Sequence, residues 1–202
     1  MENHIDTLKQ YLREQIALEE QLLRNVEEQL HEVQCAEYAD ARALLEKTKT
    51  ALEGHFTPLN ELLDQLERDV PLTLANGSLT EGKREPRSNR GSNPSSREEE
   101  RREQRRISRI LRDDFSALNT VALNNTLLHT SALALKCHDI ASVALKHIEN
   151  LLPLLVEIGT LVPEVVAREI SKEAPRVHAE AAEVALKNVI QAWRMACAPC
   201  AR

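Results

Sequence analysis

The chain has 202 residues, of which 42% are hydrophobic and only 2% aromatic, with five Gly and eight Pro. That length can hold one domain with a sizeable core, and so little turn chemistry points away from a many-stranded sheet and toward helices. A net charge of −6 argues against a dedicated nucleic-acid binder, whose affinity would rest on neutralising many phosphates. The first residues, Met1-Glu2-Asn3-His4-Ile5-Asp6, lack the basic and apolar regions of a secretion signal, and the longest oily stretch, Leu151 to Val162, is interrupted by Glu157. The expectation is a soluble cytoplasmic protein that engages no membrane. Cys35, Cys137, Cys197 and Cys200 are too few and too scattered for a disulfide framework, so reduced thiols are the default.

Taken in chain order, Ile5, Leu8, Leu12, Ile16, Leu23, Val26, Leu30 and Val33 recur at helical spacing and predict a first helix of about 30 residues. A second stripe runs from Ala41 and Leu44 through Leu52, Phe56 and Leu59 to Leu66. Pro58 lies inside it, which predicts a kink, or a break with Thr57 as a new N-cap. From Val70 to Ser96 the texture turns to Pro, Asn-Gly-Ser and Arg-Gly-Ser-Asn-Pro, a flexible connection. Arg97 to Arg106 is nearly all charge and reads as a solvated helical lead-in. The third stripe runs from Ile107 to Leu135, and the fourth from Ile140 to Val162 with Asp139 as its N-cap. Pro153 and Gly159 are expected to bend or end that helix. A short piece, Glu164 to Lys172, and a last amphipathic helix from about Arg176 to Ala196, anchored by Trp193, complete the chain. The domain plan is a four-helix bundle over 1–170, interrupted by a linker over 71–97, with a C-terminal helix and tail over 171–202 packing on it.

Each stripe carries a side chain that does not belong. Glu19 stands between Ile16 and Leu23, His55 between Leu52 and Leu59, and His147 between Val143 and Leu151, while Asn125 and His129 continue the third stripe. A buried carboxylate costs several kcal/mol unless it has a partner or a cation. Height along the helices gives a second test. With the first turn near residues 37–38, Glu19 and His55 fall in one layer, roughly 27 Å from that turn. With the second turn near 137–138, His129 and His147 fall in a layer of their own roughly 14 Å from it, and Asn125 and Asn150 match likewise. The two layers coincide if the turns lie at opposite ends of a bundle about 41 Å long, and a linker of about 26 residues at up to roughly 3.3 Å each reaches easily. The topology expected is therefore up-down, crossover, down-up.

The segments Ile16-Ala17-Leu18-Glu19-Glu20-Gln21-Leu22-Leu23 and Leu52-Glu53-Gly54-His55-Phe56-Thr57-Pro58-Leu59 resemble the ligand-bearing helices of the ferritin-like superfamily, most closely its small bacterial stress-associated members built from two helix pairs. The resemblance covers about residues 5 to 170. It implies an all-α, ferritin-like four-helix bundle with a long crossover between helices 2 and 3, and a metal site at mid-bundle. A di-iron carboxylate site takes one Glu from each of two helices and a Glu-His pair from each of the others. Here Pro58 stands three residues from His55, Ala144 and Asn150 three residues from His147, and Asn125 or His129 replaces the helix 3 Glu. Glu19, His55, His129 and His147 would form a nitrogen-rich set suited to zinc or a single iron rather than a bridged pair.

Cys197-Ala198-Pro199-Cys200 has the spacing of a redox or metal dithiol but sits in the tail. No phosphate-cradling Gly-rich loop, His-Glu-x-x-His motif or nucleophile setting is present. The expectation is a non-catalytic ferritin-like bundle without cofactor, a homo-oligomeric structural or stress-associated protein. The alternatives are an iron- or zinc-binding protein and a helical adaptor that meets a partner through the charged segment 97–112.

Overall fold

The computed structural model describes residues 2–68, 106–173 and 180–197. Helix α1 (Glu2–Glu32) leads through a 3-10 turn (Ala36–Tyr38) into α2 (Ala39–Arg68). Helix α3 (Ile107–Ala134) reverses into α4 (His138–Glu173), and α5 (Glu180–Cys197) follows. The linker, the charged run up to residue 105 and Cys200 lie outside the described residues, as do the side chains of Trp193 and Cys197.

The inward seams follow a strict alternation of four- and three-residue steps. Along α1 the seam positions are Leu8, Leu12, Gln15, Glu19, Leu22, Val26 and Gln29, continued by Val33 just past the helix end, with Lys9 buried beside them; in α2 they include Ala41, Leu45, Thr48, Leu52, His55, Leu59 and Leu62. In α3 Leu111, Asp114, Leu118, Val121, Asn125, Leu128 and Ala132 repeat the rule, and in α4 Ala144, His147, Leu151, Leu154 and Ile158 do so. A seven-residue repeat of this kind packs helices side by side at shallow angles. The apolar core splits into two clusters, one holding Val26, Leu52, Leu118 and Leu151, the other Leu8, Leu12, Leu59, Leu128 and Ala144. Between them lies a polar layer.

Side chains that bridge helices fix the topology. Gln15 meets Asn124, and Gln29 meets Asp114, so α3 descends as α1 rises. His55 meets Asn150, and Lys47 meets Glu157, so α4 is antiparallel to α2. The turns therefore lie at opposite ends, and residues 69–105 join the lower end of α2 to the upper end of α3. The bundle is all-α with four long antiparallel helices in up-down, crossover, down-up order, and α5 packs on α4.

At the first turn Arg42 closes the end of α1 by donating to the carbonyls of Leu30 and Val33 at 3.0 and 3.2 Å. The second turn is a Schellman-type closure: the Cys137 N–H reaches the Ala132 carbonyl at 2.8 Å and the Lys136 N–H the Leu133 carbonyl at 3.1 Å. Lys136 takes φ 60° there, a left-handed conformation usually left to glycine. The first bond of α4 runs from the Ala141 N–H to the Cys137 carbonyl. Cys137 is thus the N-cap, and Asp139 lies inside the first turn, where its charge suits the helix dipole.

Neither helix ends at the positions where the sequence allows a break. α2 continues through Pro58, and α4 continues through Pro153, Gly159 and Pro163, absorbing the piece expected as separate over 164–172. A proline inside a helix costs about 3 kcal/mol. Each fully buried Leu or Ile contributes about 1.5–3 kcal/mol, and Leu52, Leu59 and Leu62 flank Pro58 as Leu151, Leu154 and Leu155 flank Pro153, so packing prevails. By length and composition alone α4 meets the requirement for a membrane-crossing helix. Its inner face fills the core, and its outer face exposes Leu145, Leu152 and Val156.

Candidate metal centre

Mid-bundle, each of the four long helices contributes a polar side chain to the layer between the two apolar clusters: Glu19 from α1, His55 from α2, Asn125 from α3 and His147 from α4, all between 0 and 2% exposed. Each occupies a seam position where the repeat calls for an apolar residue, so the backbone aims it inward. His55 Nδ1 lies 3.1 Å from Glu19 Oε2, and His147 Nδ1 lies 3.8 Å from Glu19 Oε1. The two imidazoles stack, with centroids 3.7 Å apart and planes within 7°. One ligand atom from each of Glu19, His55 and His147 falls within 4.8 Å of the others.

The carboxylate is held from its own helix as well. Gln15 Nε2 donates to Glu19 Oε1 at 2.5 Å, and Asn124 Nδ2 orients Gln15 by donating to its Oε1 at 2.7 Å. Asn125 Nδ2 donates to the Val121 carbonyl at 3.2 Å and lies 3.5 Å from Glu19 Oε1. On the other side Asn150 Nδ2 lies 3.3 Å from His55 Nε2. An amide nitrogen only donates, so His55 Nε2 accepts, and the ring's proton sits on Nδ1, donating to Glu19.

His147 is bonded differently. Its Nδ1, like Asn125 Oδ1, is buried with no hydrogen-bond partner. Burial drives its pKa from the ordinary 6.5 down to about 3, with the neighbouring His55 and then Lys146 adding to the effect, so the ring is neutral at physiological pH and keeps a lone pair on a ring nitrogen. One carboxylate and two imidazoles around a shared space form a donor set for a single divalent transition-metal ion. They do not fit a carboxylate-bridged pair, because Glu19 is the only carboxylate in the group.

Of the four residues the sequence singles out, Glu19, His55 and His147 come together and His129 does not join them. His129 Nδ1 lies 2.8 Å from the Ala141 carbonyl. The second turn is centred on Lys136, about one residue earlier than the stripes suggest, which puts Asn125 and His147 eleven residues to either side of it. His129 stands one helical turn lower, opposite the start of α4. Asn125 and Asn150 do not pair with each other, as their heights suggest, but flank the group on opposite sides. Gln15 escapes a reading that places Ile16 and Leu23 at the centre of the α1 stripe; both are only half-buried. The strict four-three alternation from Leu8 to Val33 is the signal that would have found it. Comparisons with protein-family models, with curated proteins and with solved structures find no match, so the ferritin-like resemblance rests on the residues themselves.

Proposed function

We propose that the protein is a ferritin-like bundle that binds one divalent transition-metal ion, zinc or iron, through Glu19, His55 and His147. The observation that carries this reading is the buried His147 Nδ1, which lacks a hydrogen-bond partner and lies 3.8 Å from a carboxylate oxygen. Leaving a buried polar atom unmet costs about 1–3 kcal/mol, and a cation shared with Glu19 would meet it. The crossover topology and the segments around Glu19 and His55 support the family reading. Elemental analysis of protein purified without chelator is expected to find one zinc or iron per chain, lost in the Glu19→Ala, His147→Ala double variant. Less than a tenth of an equivalent in the wild type, with no thermal shift on adding Zn²⁺, would end the proposal.

A second reading, a metal-free structural or stress-associated homo-oligomer, is favoured by the large apolar side chains on the outer faces of α3 and α4. Leu123 is 60% exposed, and Leu127 on α3 and Leu145, Leu152 and Val156 on α4 are exposed as well. Sedimentation of the wild type beside a Leu123→Glu, Leu152→Glu variant tests it, since a homo-oligomer built on those faces would dissociate.

A further inference from the structure

An open groove of about 670 Å³ runs between α2 and α4, lined among others by Glu46, Lys47, Thr50, Glu149 and Asn150. Asn150 belongs both to this groove and to the buried group, because its amide bonds to His55 Nε2 at 3.3 Å. The Asn150 side chain thus links the groove to the imidazole. Its hydrogen bond has a chemical consequence for a ligand at Nδ1. With Nε2 accepting from Asn150 and Nδ1–H donating to Glu19, the Nδ1 lone pair is tied up by a proton, in the place a cation shared with Glu19 would take. For His55 to ligate through Nδ1 that proton must move to Nε2, and Nε2–H then faces a donor unless the amide turns over.

We propose that Asn150 is the positioning residue that switches His55 between two tautomers: its Nδ2 donates to Nε2 in the metal-free protein, and its Oδ1 accepts from Nε2–H when Nδ1 ligates. No proton is lost from the ring in this exchange; it leaves Nδ1 and returns at Nε2. The amide side chain suits the task, since a half-turn about its last bond exchanges donor for acceptor at one position. A group that accepts from the far nitrogen of a ligating histidine fixes the ring and raises its basicity, and losing it costs roughly 10- to 100-fold in metal affinity. Asn150 is on the solvent side of α4 and takes no part in the apolar core, so it can be changed without emptying space inside the bundle. The proposal rests on the metal reading above and adds the control of that site.

The test uses the full chain with two readouts. Imidazole ¹⁵N–¹H correlation spectra of the metal-free wild type should show the His55 proton on Nδ1, and one equivalent of Zn²⁺ should move it to Nε2. Asn150→Asp, a permanent acceptor, should place a proton on Nε2 before any metal is added. Co²⁺ titration followed by visible absorption should give Asn150→Ala roughly 10- to 100-fold weaker binding than the wild type, with Asn150→Asp at least as tight as the wild type. A metal-free wild type carrying its proton on Nε2 overturns the proposal, as does wild-type affinity in Asn150→Ala. A wild type that takes up no Co²⁺ overturns the metal reading and this proposal together; uptake with unchanged affinity in Asn150→Ala overturns this one alone.

Discussion

Carboxylates meet nitrogen groups at two levels of the bundle. At the first-turn end, Asp40 pairs with Arg168, which also donates to the Glu37 carbonyl at 2.6 Å and lies over the Tyr38 ring at 5.5 Å. Lys172 joins them, pairing with Glu37 and standing 4.9 Å from the same ring. Roughly 27 Å along the bundle, Glu19 and His55 are paired out of reach of water. Asp40 keeps 40% of its side chain exposed and Arg168 27%, whereas Glu19 keeps none. In the first place solvent screens the attraction and relaxes the loss of either partner; in the second, every unmet atom carries its full desolvation cost. A surface cluster of this kind trims the fit of α4 against the turn. A buried one is costly to keep unless it does something besides hold the fold.

The largest effect should come from Glu19. Glu19→Ala leaves the His55 Nδ1–H and the Gln15 amide facing a void, and is expected to lower unfolding stability by about 3 kcal/mol or more. Replacing the group together, as Glu19→Leu, His55→Phe, His147→Leu, should recover most of that loss, because apolar side chains of similar volume avoid desolvation altogether. Urea unfolding of metal-free protein reads both. A triple variant as weak as Glu19→Ala would mean that the polar layer is itself a stabilising element, and the contrast with the surface cluster would shrink.

How far the sequence discloses this layer depends on what each helix has to reveal. Glu19, His55 and His147 are legible because charge or polarity interrupts an apolar repeat, and the helix pairs and both turns follow from the same periodicity. The helical continuity at Pro58 and Pro153 is not legible, because local propensity opposes it and only packing from three other helices outweighs the lost hydrogen bond. His129 misleads for a simpler reason. An error of one residue in the position of a turn moves the opposing residue by two, and Lys136, in a conformation that favours glycine, hides the place where the chain reverses. Asn150 lies on the polar side of α4 by its spacing, and only the position of α2 shows that it reaches His55.

His147 separates the two regions by pH. In the unfolded chain it takes up a proton near 6.5, while burial holds it neutral in the fold down to about 3. Its contribution is therefore fully present above pH 6.5 and lost as pH falls from there toward 3, at about 1.4 kcal/mol per pH unit while only the unfolded state is protonated. Between pH 7 and pH 5 the wild type should lose about 2 kcal/mol more than His147→Leu does, measured as the difference in urea midpoints for metal-free protein. Parallel pH profiles for the two would show that His147 is already protonated in the fold, and the account of its unmet nitrogen would fall.

Asp40→Asn should have the smallest effect, and its sign with pH differs in window. The Arg168 hydrogen bond to its carboxylate holds Asp40 below its usual 3.8, so the stabilisation it brings is present above 3.8 and lost only as pH falls through the lowered value. Arg168 keeps its bond to the Glu37 carbonyl and its place over Tyr38 when the charge is removed. Exposed pairs are worth about 0.2–1 kcal/mol, and added salt should reduce even that. At pH 7 and low salt the variant is expected to unfold within about 1 kcal/mol of the wild type, and the gap should narrow in 1 M NaCl and again near pH 3. A loss as large as that of Glu19→Ala, or one insensitive to salt, would show that the Asp40–Arg168 pair behaves as a desolvated one and that burial is not what distinguishes the two levels.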